Sequence, residues 1–266
     1  MNLLNLFNGQ AKIFDVSSVK YKKPIDSQLV SKLIDYLQFS CKHLSKHGNL
    51  KTMVGIDGGI NCLVAAKLLK QALGENMTAM ILDFGTSYTN NLVEFCSKFG
   101  IQSFLLKRGV AYQTEVSAYN LHKPADVRYF YKRFINYHLS IQAEHIKAAL
   151  IDTVDKSDRL LGSKPEGFYG HLVPFNYLYK SEVFDLAKFL NVPEQLIPTP
   201  IYQDIPYPSD ALTYEKVDSV LYLLTEKQLT PEEISKTYNI DLYWLKRLKS
   251  QIDKTVLKTN PSQFII

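Results

Sequence analysis

The 266-residue sequence has only three cysteines, and they form no recognisable motif. Cys41, Cys62 and Cys96 make no Cys-x-x-Cys pair and have no metal-ligand spacing with the six histidines. Neither a disulfide framework nor a zinc site is therefore predicted. The chain also lacks an apolar run of about 20 residues, the length that a membrane-spanning helix needs. Its first residues, MNLLNLF, form a short apolar stretch without a basic lead-in, which is atypical of a signal peptide, so we expect a cytoplasmic protein.

Charge of one sign is not concentrated in any part of the chain. The net charge is +5 at pH 7 and the isoelectric point is near 8.8, but the basic residues are spread over segments such as KYKK, KHLSKH and LKRLKSQIDK. Nucleic-acid-binding proteins usually carry a concentrated basic face, so no nucleic-acid partner is expected. The content of 46% hydrophobic and 12% aromatic residues is that of a folded globular protein.

Apolar periodicity predicts alternating strands and helices. Helices are predicted within 27–47, after the first strand, in NLVEFCSKFG, over about 127–147, in YKSEVFDLAKFLNVP and in LTPEEISKTYNI, while strands are predicted at 52–56, TAMILDFG, IQSFLLK and AALIDTV. This order indicates an α/β fold, a doubly wound and mainly parallel sheet with helices on both faces. Without internal repeats or linkers, we expect a single domain over 1–266, with an N-terminal arm at 1–26 and a C-terminal helical region at 210–266.

The stretch GIDGGINCLVAAKLLKQALG predicts a strand that enters a helix through a glycine turn at Asp57, Gly58 and Gly59. Such turns bind phosphate, because free N–H groups and the helix dipole attract anions. The glycine spacing does not match the Gly-x-Gly-x-x-Gly pattern of dinucleotide-binding folds, and no Gly-Lys-Ser/Thr follows as in a Walker A loop. The turn is unusual because it opens with a carboxylate.

Four segments of the sequence resemble the ammonia-dependent NAD synthetases, members of the adenine nucleotide alpha hydrolase-like (ATP pyrophosphatase, PP-loop) superfamily. Gly58, Gly59 and the helix LVAAKLLKQALG are similar to that family's Ser-Gly-Gly-x-Asp-Ser loop and the helix after it. DTVDKSD is similar to the segment Gly-Thr-Gly-Asn-Lys-Ser-Glu. PFNYLYKSEVFDLAKFLNVPEQLI resembles the stretch around Leu-Tyr-Lys-Thr-Glu-Val, and LTYEKVDSVLY with LTPEEI resembles the C-terminal helices. The resemblance covers about residues 27–260.

The resemblance implies a Rossmann-like three-layer fold and a two-step reaction. ATP with Mg²⁺ would adenylate the carboxylate of deamido-NAD, and ammonia would then displace AMP to give NAD. No glutaminase-like domain is expected, so the ammonia would be free or come from another protein. The family also implies a homodimer whose interface shapes the dinucleotide site.

The resemblance also implies roles for individual residues. The implied catalytic residues are Lys156, Asp158 and Lys180. The implied ATP-binding residues are Gly55, Asp57, Gly58, Gly59, Asn61, Cys62, Thr153 and Ser157. The implied metal ligands are Asp57 and Asp158, and the implied substrate-binding residues are Tyr129 and Arg133. These last two belong to VRYFYKRFINYH, for which packing at a subunit interface is favoured over a nucleic-acid-binding face.

Every reactive side chain of the loop differs from the family pattern: Asp57, Asn61 and Cys62 replace serine, aspartate and serine. Asp57 would cap the helix, bind Mg²⁺ or repel phosphate. Cys62 is interpreted as a small buried residue rather than a reactive thiol, and His171 as a surface or hydrogen-bonded histidine. Elsewhere, the loop SKPEGFYGHLVP is shorter than its counterpart, and the C-terminal Lys-Arg pair is reduced to Lys258 and Thr259.

Two functions from different classes follow. The chain is either an ammonia-dependent NAD synthetase with a rebuilt loop, or a catalytically silent homologue that acts as a nucleotide-binding, regulatory or structural dimer. A related ATP-dependent amidation or thiolation of another substrate is a third, weaker alternative.

Overall fold

The structure is a computed structural model that describes residues 15–44, 50–162, 170–202, 207 and 212–259. The strands are β1 (Lys51–Ile56), β2 (Met77–Asp83), β3 (Ser103–Lys107), β4 (Ala148–Leu150), β5 (Ile201–Tyr202) and β6 (Leu212–Thr213). The helices are α1 (Ser27–Leu44), α2 (Ile60–Leu73), α3 (Tyr88–Lys98), α4 (Gly109–Ala118), α5 (Pro124–His145), α6 (Lys156–Leu161), α7 (Lys180–Phe189), α8 (Tyr214–Thr225), α9 (Pro231–Tyr238) and α10 (Leu242–Thr259).

The chain divides into two compact units. The larger consists of the described parts of Lys23–Arg159 and Ser163–Pro198, and the smaller of the described parts of Met1–Lys22, Leu160–Gly162 and Thr199–Ile266. The larger unit contains a four-stranded sheet in the order β3-β2-β1-β4, and all its pairings are parallel. The prediction of a parallel α/β fold flanked by helices is confirmed.

Helix α2 is apolar on nearly all sides, because it packs between β1 and the helices α1 and α7. Helix α5 covers β1 and β4. Its side chains form one core cluster with inward-facing residues of the sheet, whose buried members are Met53, Met80, Leu82, Phe134, Ile135, Leu139, Ala143 and Ala148. The sheet is thus covered by apolar side chains, as expected of parallel strands.

Helices α4 and α6 were not predicted, and one strand of the larger unit is shorter than predicted. Helix α4 was not predicted, because it buries none of its side chains completely and so has no apolar stripe in its sequence. The predicted strand AALIDTV is shorter than expected: β4 ends at Leu150, and Ile151 forms a single parallel bridge with Leu172. The residues after this bridge leave the sheet and lead to α6.

The smaller unit contains the antiparallel pair β5–β6 and the helices α8, α9 and α10. Helix α9 begins at the predicted Thr230/Pro231 pair, where Thr230 and Glu233 form a reciprocal capping box. Trp244 of α10 is buried, with its ring edge against Tyr207. Among the residues that the structure describes, no helix is both long and apolar enough to span a membrane.

Gly55 in β1 allows α5 to approach the sheet closely. A Cβ atom at this position would lie 2.6 Å from Cδ1 of Leu139. We expect Gly55→Ala to lower the free energy of unfolding by about 1–3 kcal/mol, because the added methyl group overpacks the contact. Urea denaturation followed by circular dichroism measures this change. In the double variant with Leu139→Val, which shortens the opposing side chain, the combined cost should be smaller than the sum of the two single costs. Strict additivity would contradict this account.

Candidate functional site

The candidate site lies where β1 and β4, two adjacent parallel strands, reach their carboxyl ends. β1 continues into the turn 57–59 and α2, while β4 continues through 151–155 into α6. Helices α2 and α7 also pack against each other. From β1 the chain adds β2 and β3 on one side of the sheet and then β4 on the other side. Such a switch point between two parallel strands is the usual place for a ligand in an open α/β sheet.

The turn before α2 is folded around the carboxylate of Asp57. The backbone N–H of Gly59 donates to Oδ1 of Asp57 at 2.9 Å, and Sγ of Cys62 approaches the same oxygen at 3.2 Å. Gly59 itself is the N-cap residue of α2 and has no side-chain cap. The interpretation of Asp57 as the helix cap is therefore wrong. Asp57 instead forms a local turn in which its carboxylate occupies an N–H group of the glycine loop.

Gly58 and Gly55 lack a side chain because neighbouring side chains approach their backbone closely. Gly58 has a φ of +91°, and a Cβ atom there would lie 2.2 Å from Cε1 of Tyr88. The Tyr88 hydroxyl donates to the carbonyl oxygen of Gly58 at 3.3 Å. Gly55 lies inside β1, where the contact with Leu139 accounts for the absence of a side chain.

Asn61 connects the first turn of α2 to the segment after β4. The residue is 7% exposed. The amide Nδ2 donates to the carbonyl oxygen of Thr153 at 2.7 Å and to Oδ2 of Asp155 at 2.9 Å, and it lies 3.3 Å from Oδ2 of Asp158. A carboxylate could not make these contacts, because it has no hydrogens to donate.

Lys180, the first residue of α7, is the cation of the site. Its Nζ lies 2.6 Å from Oδ2 of Asp155, 2.8 Å from Oδ2 of Asp158 and 3.2 Å from Oδ1 of Asn61. Its backbone N–H donates to Oγ of Ser157 at 2.9 Å. The predicted residues Asn61, Thr153, Ser157, Asp158 and Lys180 are therefore brought together.

The sequence reasoning missed Asp155, which is fully buried. Its Oδ1 accepts the backbone N–H of Asp158 at 2.8 Å, so it stabilises the first turn of α6 while its other oxygen binds Lys180. The acidic residue directly before Lys-Ser-Asp in DTVDKSD was a signal for such a cap. Nothing in the local sequence indicated its long-range contact with Asn61.

The three charged groups shift one another's pKa values. Burial and the neighbouring Asp158 carboxylate raise the pKa of Asp155 to about 6. Burial alone would raise the pKa of Asp158, but the ammonium of Lys180, helped by Lys132, holds it below its usual value. Burial would lower the pKa of Lys180, but the two carboxylates outweigh this effect and raise it. Lys180 is therefore charged at neutral pH.

The remaining predicted residues have other surroundings. The Lys156 ammonium lies 4.6 Å from the centre of the Tyr179 ring. On α5, Tyr129 is half-buried and Arg133 is exposed. His171 is exposed, and its Nδ1 accepts the backbone N–H of Leu150, in agreement with its predicted hydrogen-bonding role. Residues 163–169 of the loop SKPEGFYGHLVP, and the side chains of Lys258 and Thr259, lie outside the described part of the chain.

Cys62 is buried, as predicted, and its thiol also approaches the carbonyl oxygen of Gly59 at 2.9 Å. Burial and the Asp57 carboxylate raise the pKa of Cys62 well above its usual value. The thiol is therefore neutral at physiological pH, which does not suit a nucleophile.

The residues present do not fit the ATP and Mg²⁺ that the family resemblance implies. The Gly59 N–H is donated to Asp57, whose negative charge opposes a phosphate. The oxygens of Asp155, Asp158 and Asn61, which a hard cation would require, surround the Lys180 ammonium instead. Within the described residues, no group of three or more histidine, cysteine, aspartate or glutamate side chains is arranged to hold a metal ion.

The NAD synthase family model matches residues 29–262. This chain belongs to the NAD synthase family. Among its relatives, the NH3-dependent NAD+ synthetase of Wolinella succinogenes is 28% identical over 226 residues, which cover 78% of this chain and 84% of that protein. The corresponding protein of Fusobacterium nucleatum is 26% identical over 246 residues, covering 86% and 90% of the two chains.

Solved structures of similar fold include two enzymes with different names. The NH3-dependent NAD synthetase of Campylobacter jejuni, solved in complex with nitrate, superimposes with a TM-score of 0.73 at 22% identity, covering 91% of this chain and all of that one. The NMN synthetase of Francisella tularensis has a TM-score of 0.67 at 19% identity, covering 90% and 97%. At these identities, the two superpositions show that this NAD synthase family chain shares their fold.

The buried Asp155 should make stability depend on pH. Its pKa rises from the usual 3.8 to about 6 on folding, so the folded state binds the proton more tightly and loses stability as the pH rises between these values. Asp155→Asn keeps an oxygen for the α6 cap but does not titrate. From pH 4 to pH 7, we expect the free energy of unfolding of the wild type to fall relative to this variant by up to about 3 kcal/mol.

Urea denaturation at a series of pH values measures this difference. The control is Asp253→Asn, which removes an exposed carboxylate paired with Lys249 on α10. Its stability should follow the wild type in parallel over the same range. A wild type that gains stability relative to Asp155→Asn as the pH rises would contradict the account.

Proposed function

We propose that this chain is a catalytically silent member of the NAD synthase family, which does not convert deamido-NAD to NAD and acts as a binding or regulatory dimer. The observation that carries the proposal is the position of Asp57. Its carboxylate accepts the N–H group of Gly59, a donor that a phosphate-binding turn would offer to its ligand. The loop thus contains an anion that belongs to the protein itself.

The energetic effect of this internal anion is large. A like-charge contact at about 4 Å costs roughly 4 kcal/mol at an effective dielectric constant of 20, which is about a thousandfold in affinity before screening by solvent. Asp57 is exposed, so water and ions reduce this value. The cost nevertheless adds to the loss of a donated N–H group.

The side chains of the first helical turn support the same conclusion. Cys62 directs its thiol towards Asp57 and Gly59, within the loop. Asn61 directs its amide towards Thr153 and Asp155. These side chains stand where the family pattern has a serine and an aspartate, and both are engaged in contacts within the protein.

A dimer is supported by apolar side chains on the surface of α4 and α5. Val110 on α4, Tyr119 directly after it, and Tyr137 and Ile141 on α5 are exposed, although α5 packs its opposite face on the sheet. Contiguous exposed apolar side chains mark interaction surfaces, and α4 and α5 are in contact with each other. We propose that two copies of this chain meet there, in the cytoplasm, without requiring ATP or Mg²⁺.

The alternative function is the ammonia-dependent amidation itself. It is favoured by the assembly of Ser157, Asp158 and Lys180 next to the loop. In this alternative, Lys180 would leave its carboxylates when substrate binds.

The first test is the reaction itself. Purified protein is incubated with Mg-ATP, deamido-NAD and ammonium, and NAD and AMP are quantified by chromatography beside the Campylobacter jejuni enzyme as positive control. We expect no NAD and no AMP above the level without protein. Formation of both products in equal amounts would refute the proposal and establish the alternative.

The second test removes the internal anion. We expect Asp57→Ser to increase the affinity for ATP at least about tenfold, because the carboxylate no longer opposes phosphate. Isothermal titration calorimetry in EDTA and, separately, in Mg²⁺ measures the effect.

Asp83→Ser is the matched control. Asp83 ends the neighbouring strand β2 and accepts the backbone N–H of Gly85 at 2.8 Å, a turn of the same kind outside the glycine loop. This control should leave ATP affinity unchanged. Weaker ATP binding by Asp57→Ser only in the presence of Mg²⁺ would show that Asp57 is a metal ligand, and unchanged binding would show that its charge does not control the loop.

A further inference from the structure

In the larger unit, Lys180 forms a cluster of close contacts with Asn61, Asp155 and Asp158. From its geometry we propose that the Lys180 ammonium occupies the oxygens that a divalent metal ion would require, so that this site excludes metal and is stable without it. This proposal rests on the proposed function for its biological role, but it is argued from the contacts of Lys180 and not from those of Asp57.

The ammonium has a complete set of ligands. Its three hydrogens face three oxygens, those of Asp155, Asp158 and Asn61, at distances of 2.6 to 3.2 Å. The Lys180 side chain is only 12% exposed, and that of Asp155 is fully buried. A cation at this position therefore neutralises the charge of the Asp155 carboxylate, which water does not reach, whereas the Asp158 side chain is 22% exposed.

Asn61 fits an ammonium better than a metal ion. Its oxygen faces Lys180 while its nitrogen donates to Thr153 and Asp155. In this chain, an aspartate at position 61 would direct an oxygen at the Asp155 carboxylate from a distance of 2.9 Å. The family segment has an asparagine where this chain has Asp155, so the amide and the carboxylate have exchanged places here, and the Asn61–Asp155 contact is a hydrogen bond between a donor and a carboxylate.

Burial of a lysine alone does not produce this cluster. Lys67 is also buried, but its Nζ donates to the carbonyl oxygen of Asn191 and lies 3.5 Å from the centre of the Phe99 ring. Burial, together with Lys98, lowers the pKa of Lys67. Lys67 is therefore a control for Lys180: it is buried too, but within the described residues it contacts a carbonyl oxygen and a ring and no carboxylate.

The experiment removes the ammonium and offers a metal ion in its place. The variant is Lys180→Met, which keeps most of the side-chain volume and removes the charge, and the probe is Mn²⁺ alone. Electron paramagnetic resonance of free Mn²⁺ counts bound ions, and thermal unfolding in EDTA or in about 1 mM Mn²⁺ measures stabilisation by binding.

We expect the wild type to bind no Mn²⁺ and to unfold at the same temperature in both solutions. Lys180→Met should unfold at a lower temperature in EDTA, bind one Mn²⁺ and regain stability with the ion. Adding Asn61→Asp to Lys180→Met supplies a third carboxylate and should tighten Mn²⁺ binding at least about tenfold. Lys67→Met should lose stability without any rescue by Mn²⁺.

Several results would overturn the inference. One is stoichiometric Mn²⁺ binding by the wild type, and another is equal Mn²⁺ effects on Lys180→Met and Lys67→Met. If Lys180→Met does not fold in EDTA, refolding is repeated with Mn²⁺: recovery of folded protein supports the inference, and no recovery refutes it. None of these readouts uses NAD formation, so NAD synthesis by the wild type would refute the proposed function without deciding this question.

Discussion

One ammonium group holds the parts of this site together. Through Lys180, the start of α7 is joined to the segment before and within α6, and through Asn61 the same group is joined to the first turn of α2. Burying these charges is costly, and the cost is offset only because each partner has a hydrogen-bonding counterpart in the cluster. The main effect of such a network is to define one arrangement of the three segments, since any displacement would leave a buried charge unpaired.

The two halves of the site are electrically complementary. At the glycine turn, the protein places its own carboxylate on an N–H group that would suit an external anion. A few residues further along α2, it places its own ammonium among oxygens that would suit an external cation. Asp57 takes up the N–H group of the exposed Gly59, and Lys180 pairs with the buried Asp155 carboxylate, which would otherwise lack a cation in the absence of a ligand. A site of this kind is stable when empty, whereas a site built for Mg²⁺ and phosphates depends on them for charge balance.

Much of the larger unit could be predicted, because the apolar periodicity of its strands and helices reflects burial directly. Helix α4 could not, since it has no apolar face to detect. The segment DTVDKSD was identified through resemblance, yet the role of Asp155 was missed because its partner Asn61 is 94 residues away. Of the three roles considered for Asp57, the helix cap is excluded for a local reason: the N-cap position belongs to Gly59, which the order of residues alone does not reveal. Contacts between distant segments and the exact start of a helix depend on tertiary structure.

The packing of Tyr88 on Gly58 has a consequence for how such sequences are interpreted. The glycine is required by its backbone conformation and by an aromatic ring that leaves no room for a Cβ atom. Selection for folding alone would therefore preserve this residue after any selection for chemistry had ended. In a relative of this kind, the first glycine of the pair therefore reflects how the turn packs, and diagnosis of activity has to rely on the side chains beside it.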